Sequence, residues 1–106
     1  MLDKAKVREI AIEYSKEVNK LLSPTKVILF GSYANGTPHE ESDIDIAVLV
    51  NDLDDKTWYD ARILLQKIRR NKIFIDIEPH LLDETHDPSG FVDHVLKTGE
   101  ILYQSA

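Results

Sequence analysis

From Asp43 to Val50 the chain reads Asp-Ile-Asp-Ile-Ala-Val-Leu-Val, and this octet constrains the fold more than any other stretch. Its second half is wholly apolar, as in a central strand covered on both faces. Its first half alternates acid with isoleucine. In a strand, residues i and i+2 share a face, so Asp43 and Asp45 stand side by side while Ile44 and Ile46 enter the core. Such a strand needs partner strands and helices around it.

The flanking sequence offers them. Leu2 to Leu22 carries Val7, Ile10, Ala11, Tyr14, Val18 and Leu21 at three- and four-residue spacings, which predicts an amphipathic helix capped by Asp3 and ended by Ser23-Pro24. Lys26 to Phe30 is a β-branched run that stops at Gly31, and Gly31 to Pro38 reads as a loop with room for one helical turn. Thr57 to Arg70 predicts a second helix that buries Trp58, Ala61, Leu64, Leu65 and Ile68. Lys72 to Pro79 reads as a third strand, Asp83 to Gly90 as turns, and Phe91 to Thr98 as a last helix before Ile101-Leu-Tyr103, a final strand or edge segment. The expected class is α/β (α+β), a small mixed sheet packed against helices. With 106 residues, a single domain over 1–106 is expected.

Composition narrows the function. Hydrophobic residues at 42% and charged residues at 30% are the balance of a folded soluble chain, and no apolar run approaches the length of a membrane span. The absence of cysteine excludes disulfides, thiolate zinc sites and a Cys nucleophile, and a cytoplasmic setting is the expectation. The net charge is −6, whereas proteins that grip polynucleotides through phosphates present a basic stripe. Direct nucleic-acid binding is not expected. A phosphate ligand would instead meet the acids through divalent cations.

Asp43 and Asp45 repel one another unless compensated, and Mg²⁺ or Mn²⁺ suits hard oxygen ligands of this kind. In Lys72-Ile-Phe-Ile-Asp76-Ile-Glu78 the acid between Ile75 and Ile77 is out of place in a strand unless something pairs it. If that strand lies beside Asp43–Val50, three carboxylates converge and could hold two metals for phosphoryl or nucleotidyl transfer. Gly31-Ser32 at a strand end lets backbone amides approach a phosphate, with the hydroxyl as a further donor. Neither a Walker A motif nor a GxGxxG fingerprint is present. Ser42 reads as a turn residue that could orient Asp43. Tyr33 is placed to stack on a base or to pack on the domain. The four histidines (His39, His80, His86 and His94) read as surface residues.

The stretch GSYANGTPHEESDID resembles the Gly-Ser, spacer, Asp-x-Asp signature of the DNA polymerase β-type nucleotidyltransferases. The length and the ending SDIDIAVLV are similar to the minimal nucleotidyltransferases, the MNT-domain proteins. The resemblance implies a polymerase β palm-like fold, with Gly31 and Ser32 on the β- and γ-phosphates of ATP and Ser42 beside them. It implies Asp43 and Asp45 as ligands of Mg²⁺, two ions in all. Asp76 would be the third carboxylate, favouring loss of the acceptor's proton. Many relatives carry arginine where this chain has Asn35. It further implies AMP transfer from ATP to a hydroxyl of a small helical HEPN-type toxin, with this chain as antitoxin. The alternatives are a non-catalytic antitoxin that neutralises by binding, and a transferase acting on a small molecule.

Overall fold

Asp3 opens the first helix in the computed structural model, which describes residues 3–36 and 43–105. Its carboxylate accepts from Lys6 N at 2.8 Å, and helix α1 (Lys4–Leu22) runs until Ser23 turns left-handed at φ 53°. Val7, Ala11, Tyr14, Ser15 and Val18 form its buried stripe, as the spacing predicts, whereas Leu21 is 57% exposed. Strand β1 (Lys26–Phe30) follows, then the short helix α2 (Ser32–Asn35) and strand β2 (Ile44–Val50). Helix α3 (Asp55–Arg69) is capped by Asp54, which accepts from Thr57 N at 2.8 Å. Strand β3 (Ile77–Asp83), helix α4 (Phe91–Thr98) and strand β4 (Glu100–Gln104) complete the chain.

The sheet is mixed, in the order β3-β2-β1-β4, with β1 antiparallel to β2 and β4 and β2 parallel to β3. β2 is central, and each of its residues is buried except Asp45. One sheet face carries Val27, Leu29, Ile44, Ile46, Val48 and Ile77 into a core shared with α1 and Leu65 of α3. The other carries Ile28, Phe30, Ala47 and Leu49 against Val92 and Val95 of α4. The expected α/β architecture holds. Among the described residues, no helix is long and apolar enough to cross a membrane.

Two expectations need correction. Lys72 to Pro79 is not one strand: Lys72–Phe74 is a 3₁₀ turn capped by Asn71, and the strand begins at Ile77. Phe74 alone of Ile73, Phe74 and Ile75 is buried, and the flanking isoleucines are 56% and 65% exposed, so the run turns one side chain inward instead of alternating. Pro79 lies inside β3, which is tolerated because β3 is an edge strand. On α3, Ala61 and Leu65 are buried as expected, whereas Trp58, Leu64 and Ile68 are only half-buried.

The Tyr14 hydroxyl donates to Leu65 O at 2.9 Å, tying α1 to α3, and burial pushes its pKa far above the ordinary tyrosine value. Beyond the end of β3, Glu84 accepts from Lys26 Nζ and from Thr25 Oγ1, both at 2.7 Å. The Lys26 bond foremost lowers the Glu84 pKa. A carboxylate whose folded pKa is lowered stabilises the fold above its unfolded pKa, and that contribution disappears as pH falls through the folded value. Asp83 and Asp87 shift the same way, through bonds from Thr85 and from the amide of Val92 respectively. The melting temperature should therefore be flat from neutral pH to about 5 and fall steadily below about 4, and in Glu84→Gln the fall should be shallower. Thermal melts across that range check this.

Candidate active site

Gly31 ends β1 at φ 77°, ψ −153°, a conformation that side chains rarely adopt. Register explains why the position is bare. Phe30 pairs with Asp45, so the next residue passes directly over the Asp45 side chain. A Cβ at Gly31 would run into Asp45 Oδ2 and lie 3.2 Å from its Cγ. Ser32 then starts α2, which Gly36 closes at φ 74°. Tyr33 is 4% exposed within the core, which decides between stacking and packing in favour of packing.

The acids are arranged by the parallel pairing of β2 with β3. Ile44 pairs with Ile77, and Asp45 with Glu78. Ile44 N donates to Asp76 O at 2.8 Å, so one residue earlier Asp43 and Asp76 are neighbours across the two paired segments. Strand alternation puts Asp43 and Asp45 on the face that α4 covers further along, and Glu78 and His80 share it. Asp43 and Asp76 are exposed, while Asp45 and Glu78 are half-buried. Asp76 therefore sits in an exposed turn, and its charge meets none of the burial penalty expected of an isoleucine strand.

No Lys or Arg pairs with Asp43, Asp45 or Asp76 among the described residues. The side chains also stop short of a closed ligand set: among those residues, no three His, Cys, Asp or Glu groups converge to hold an ion. What the fold provides is adjacent backbone positions bearing uncompensated carboxylates of a hard-oxygen donor set. Ser42 and His39 lie outside the described residues.

His80 is not the free surface histidine that the sequence suggests. Its Nε2 lies 3.2 Å from Asp45 Oδ1, and its ring meets Phe30 edge-on with centroids 5.1 Å apart. With the proton on Nε2, the imidazole donates to the carboxylate. Phe30 in turn packs on Phe91 of α4, with centroids 5.7 Å apart, so the imidazole is backed by the smaller core. Asp45 is thus located from two sides, by His80 at Oδ1 and by the bare Gly31 at Oδ2. The available signal was the Glu78-Pro-His80 alternation, which becomes readable once the strand start moves to Ile77.

The family described as polymerase beta, nucleotidyltransferase matches residues 10–106. The chain belongs to this family. A relative from Methanocaldococcus jannaschii, named as a protein adenylyltransferase (MJ0141), is 34% identical over 95 residues, spanning 86% of this chain and 93% of the relative. A nucleotidyltransferase structure from Sulfolobus solfataricus superposes with a TM-score of 0.70 over 95% of this chain and 83% of that one. At 24% identity, that likeness speaks for the fold. A chain from a toxin–antitoxin crystal structure with AMP-PNP superposes with a TM-score of 0.55 at 28% identity, covering 98% of this chain and 75% of that one. The nucleotidyltransferase has its family's fold, and the resemblance carried by Gly31-Ser32 and Asp43-Ile-Asp45 is to the right family.

Proposed function

We propose that this nucleotidyltransferase moves AMP from ATP to a hydroxyl of a partner protein, as the antitoxin of a HEPN/MNT toxin–antitoxin pair. The observation that carries the reading is the juxtaposition of Asp43 with Asp76, and of Asp45 with the Gly31-Ser32 turn. The protein adenylyltransferase name of one relative and the toxin–antitoxin setting of another support the choice of acceptor.

The donor set fits a hard divalent cation, because three carboxylates with no Lys or Arg partner among the described residues stand at neighbouring positions. Asp43, Asp45 and Asp76 would hold Mg²⁺ or Mn²⁺, two ions in the full complex, which would neutralise triphosphate charge during in-line displacement. Gly31 keeps the backbone bare where the triphosphate approaches, and Ser32 offers its hydroxyl to a phosphate oxygen. Asp76, in the exposed turn just before β3, is placed to favour loss of the acceptor's proton. The acceptor oxygen forms a bond to the α-phosphorus, and the bond from that phosphorus to the departing pyrophosphate breaks.

His80 orients Asp45, and such supporting bonds typically change metal affinity by 10–100-fold. His80→Ala should weaken Mn²⁺ binding by about tenfold, while His80→Gln, which keeps a donor, should recover part of it. Calorimetric titration with Mn²⁺ and AMP-PNP checks both.

The function itself is tested by incubating the protein with ATP, Mg²⁺ and the protein encoded by the adjacent reading frame. Intact mass should rise by one or more AMP units with wild type and stay unchanged with the Asp43→Asn/Asp45→Asn variant. If that variant protects cells from the neighbour as well as wild type does, neutralisation proceeds by binding, and the catalytic reading is wrong.

A further inference from the structure

A groove of about 710 Å³ runs between α3 and the outer edge of β3. Its helical wall carries Trp58, Tyr59 and Ile63 together with Arg62, Lys67 and Arg70; its strand wall runs from Glu78 to Leu82. Tyr59 and Ile63 are 64% and 37% exposed, so apolar surface faces solvent here without covering any core. The volume falls within the usual range of ligand sites, roughly 300–1,000 Å³.

Three features define what fits. The lining holds three cations against one acid, Glu78, in a chain whose net charge is −6, so the groove selects acidic groups beside apolar ones. The groove meets the catalytic face along the β3 edge: Glu78 and His80 belong to its wall, and on the sheet face away from α3 Glu78 pairs with Asp45 and His80 contacts it. The strand edge is also blunted against a second copy. Ile44 N bonds to Asp76 O and Glu84 N to Val50 O, which sets the ladder so that residue 79 faces outward. That residue is Pro79, and the outward row lacks a donor at its middle. Recognition by side chains is favoured over strand addition.

We propose that this groove docks an acidic, aromatic-bearing segment of the acceptor protein, whose hydroxyl reaches Asp45 where the segment crosses the β3 edge at His80. The inference rests on the protein-acceptor reading above and specifies where that acceptor binds.

The test needs no transfer step. Trp58 is the only tryptophan of the chain and lines the groove, so its emission, excited selectively, reports occupancy. The probes are a random Glu/Tyr copolymer, a random Lys/Tyr copolymer, and ATP with Mg²⁺. The Glu/Tyr copolymer should change Trp58 emission saturably, the Lys/Tyr copolymer at least about tenfold more weakly, and ATP not at all. Arg62→Glu/Arg70→Glu should abolish the Glu/Tyr response while AMP-PNP and Mn²⁺ still bind with wild-type affinity, which also verifies that the variant is folded. Equal response to both copolymers, or no response to Glu/Tyr, would overturn the proposal. So would a response to ATP, which would make the groove a nucleobase site, or conversion of a wild-type dimer to a monomer by the variant. A normal Glu/Tyr response from a protein that transfers no AMP to its neighbour would leave the groove standing and overturn the functional reading alone.

Discussion

Asp45→Asn should reduce AMP transfer by at least about a hundredfold while leaving the melting temperature within a few degrees of wild type. The asymmetry follows from what Asp45 touches. Its Oδ1 meets His80 Nε2 at 3.2 Å, and an asparagine carbonyl can accept the same bond. The side chain is 29% exposed, so the amide need not be buried without partners. What is lost is a negative charge beside Asp43 and Glu78, on which the proposed cation binding depends. A loss of a hundredfold corresponds to about 2.7 kcal/mol in the barrier. Initial rates by intact-mass spectrometry and a thermal melt on the same preparation give both numbers. Near-wild-type rates would remove Asp45 from the site.

Gly31→Ala should damage the site and the fold together. A side chain at φ 77°, ψ −153° carries strain of about 1–3 kcal/mol. The new Cβ also collides with the Asp45 carboxylate, so that carboxylate must move from the position in which it meets His80. AMP-PNP affinity in the presence of Mn²⁺ should fall by at least about tenfold, with a lower melting temperature. The collision makes a further demand. In an Asp45→Ala background the obstructing carboxylate is gone, and Gly31→Ala should destabilise less, by at least about 0.5 kcal/mol in a double-mutant cycle. Strict additivity would mean that the glycine serves the backbone angle alone.

Local pattern carried much of this architecture in the sequence. The octet at Asp43–Val50 announced a central strand, because its apolar second half has no exposed face to serve. The Asp3 cap, the α1 stripe and the stop at Gly31 were legible for similarly local reasons. The start of β3 was not. Ile-Phe-Ile has strong β preference, yet the chain buries only Phe74 there and exposes both isoleucines. A strand begun at Lys72 would bury Asp76, which instead occupies an exposed turn. The pairing of Asp45 with Glu78, and through it the approach of His80, depends on parallel register across about thirty residues, which no local pattern encodes. Gly31 reads as a phosphate turn from the sequence, and its contact with Asp45 appears only when β1 and β2 are paired.

The proposed cation–triphosphate site joins the Gly31-Ser32 turn to the carboxylates of Asp43, Asp45 and Asp76. Mn²⁺ titration followed by electron paramagnetic resonance measures it directly, with and without AMP-PNP. Mn²⁺ should bind weakly alone and at least about tenfold more tightly with the nucleotide, which supplies phosphate ligands, and Asp76→Asn should remove most of that gain. Mn²⁺ affinity that ignores AMP-PNP, or that is unchanged in Asp76→Asn, would contradict a shared site.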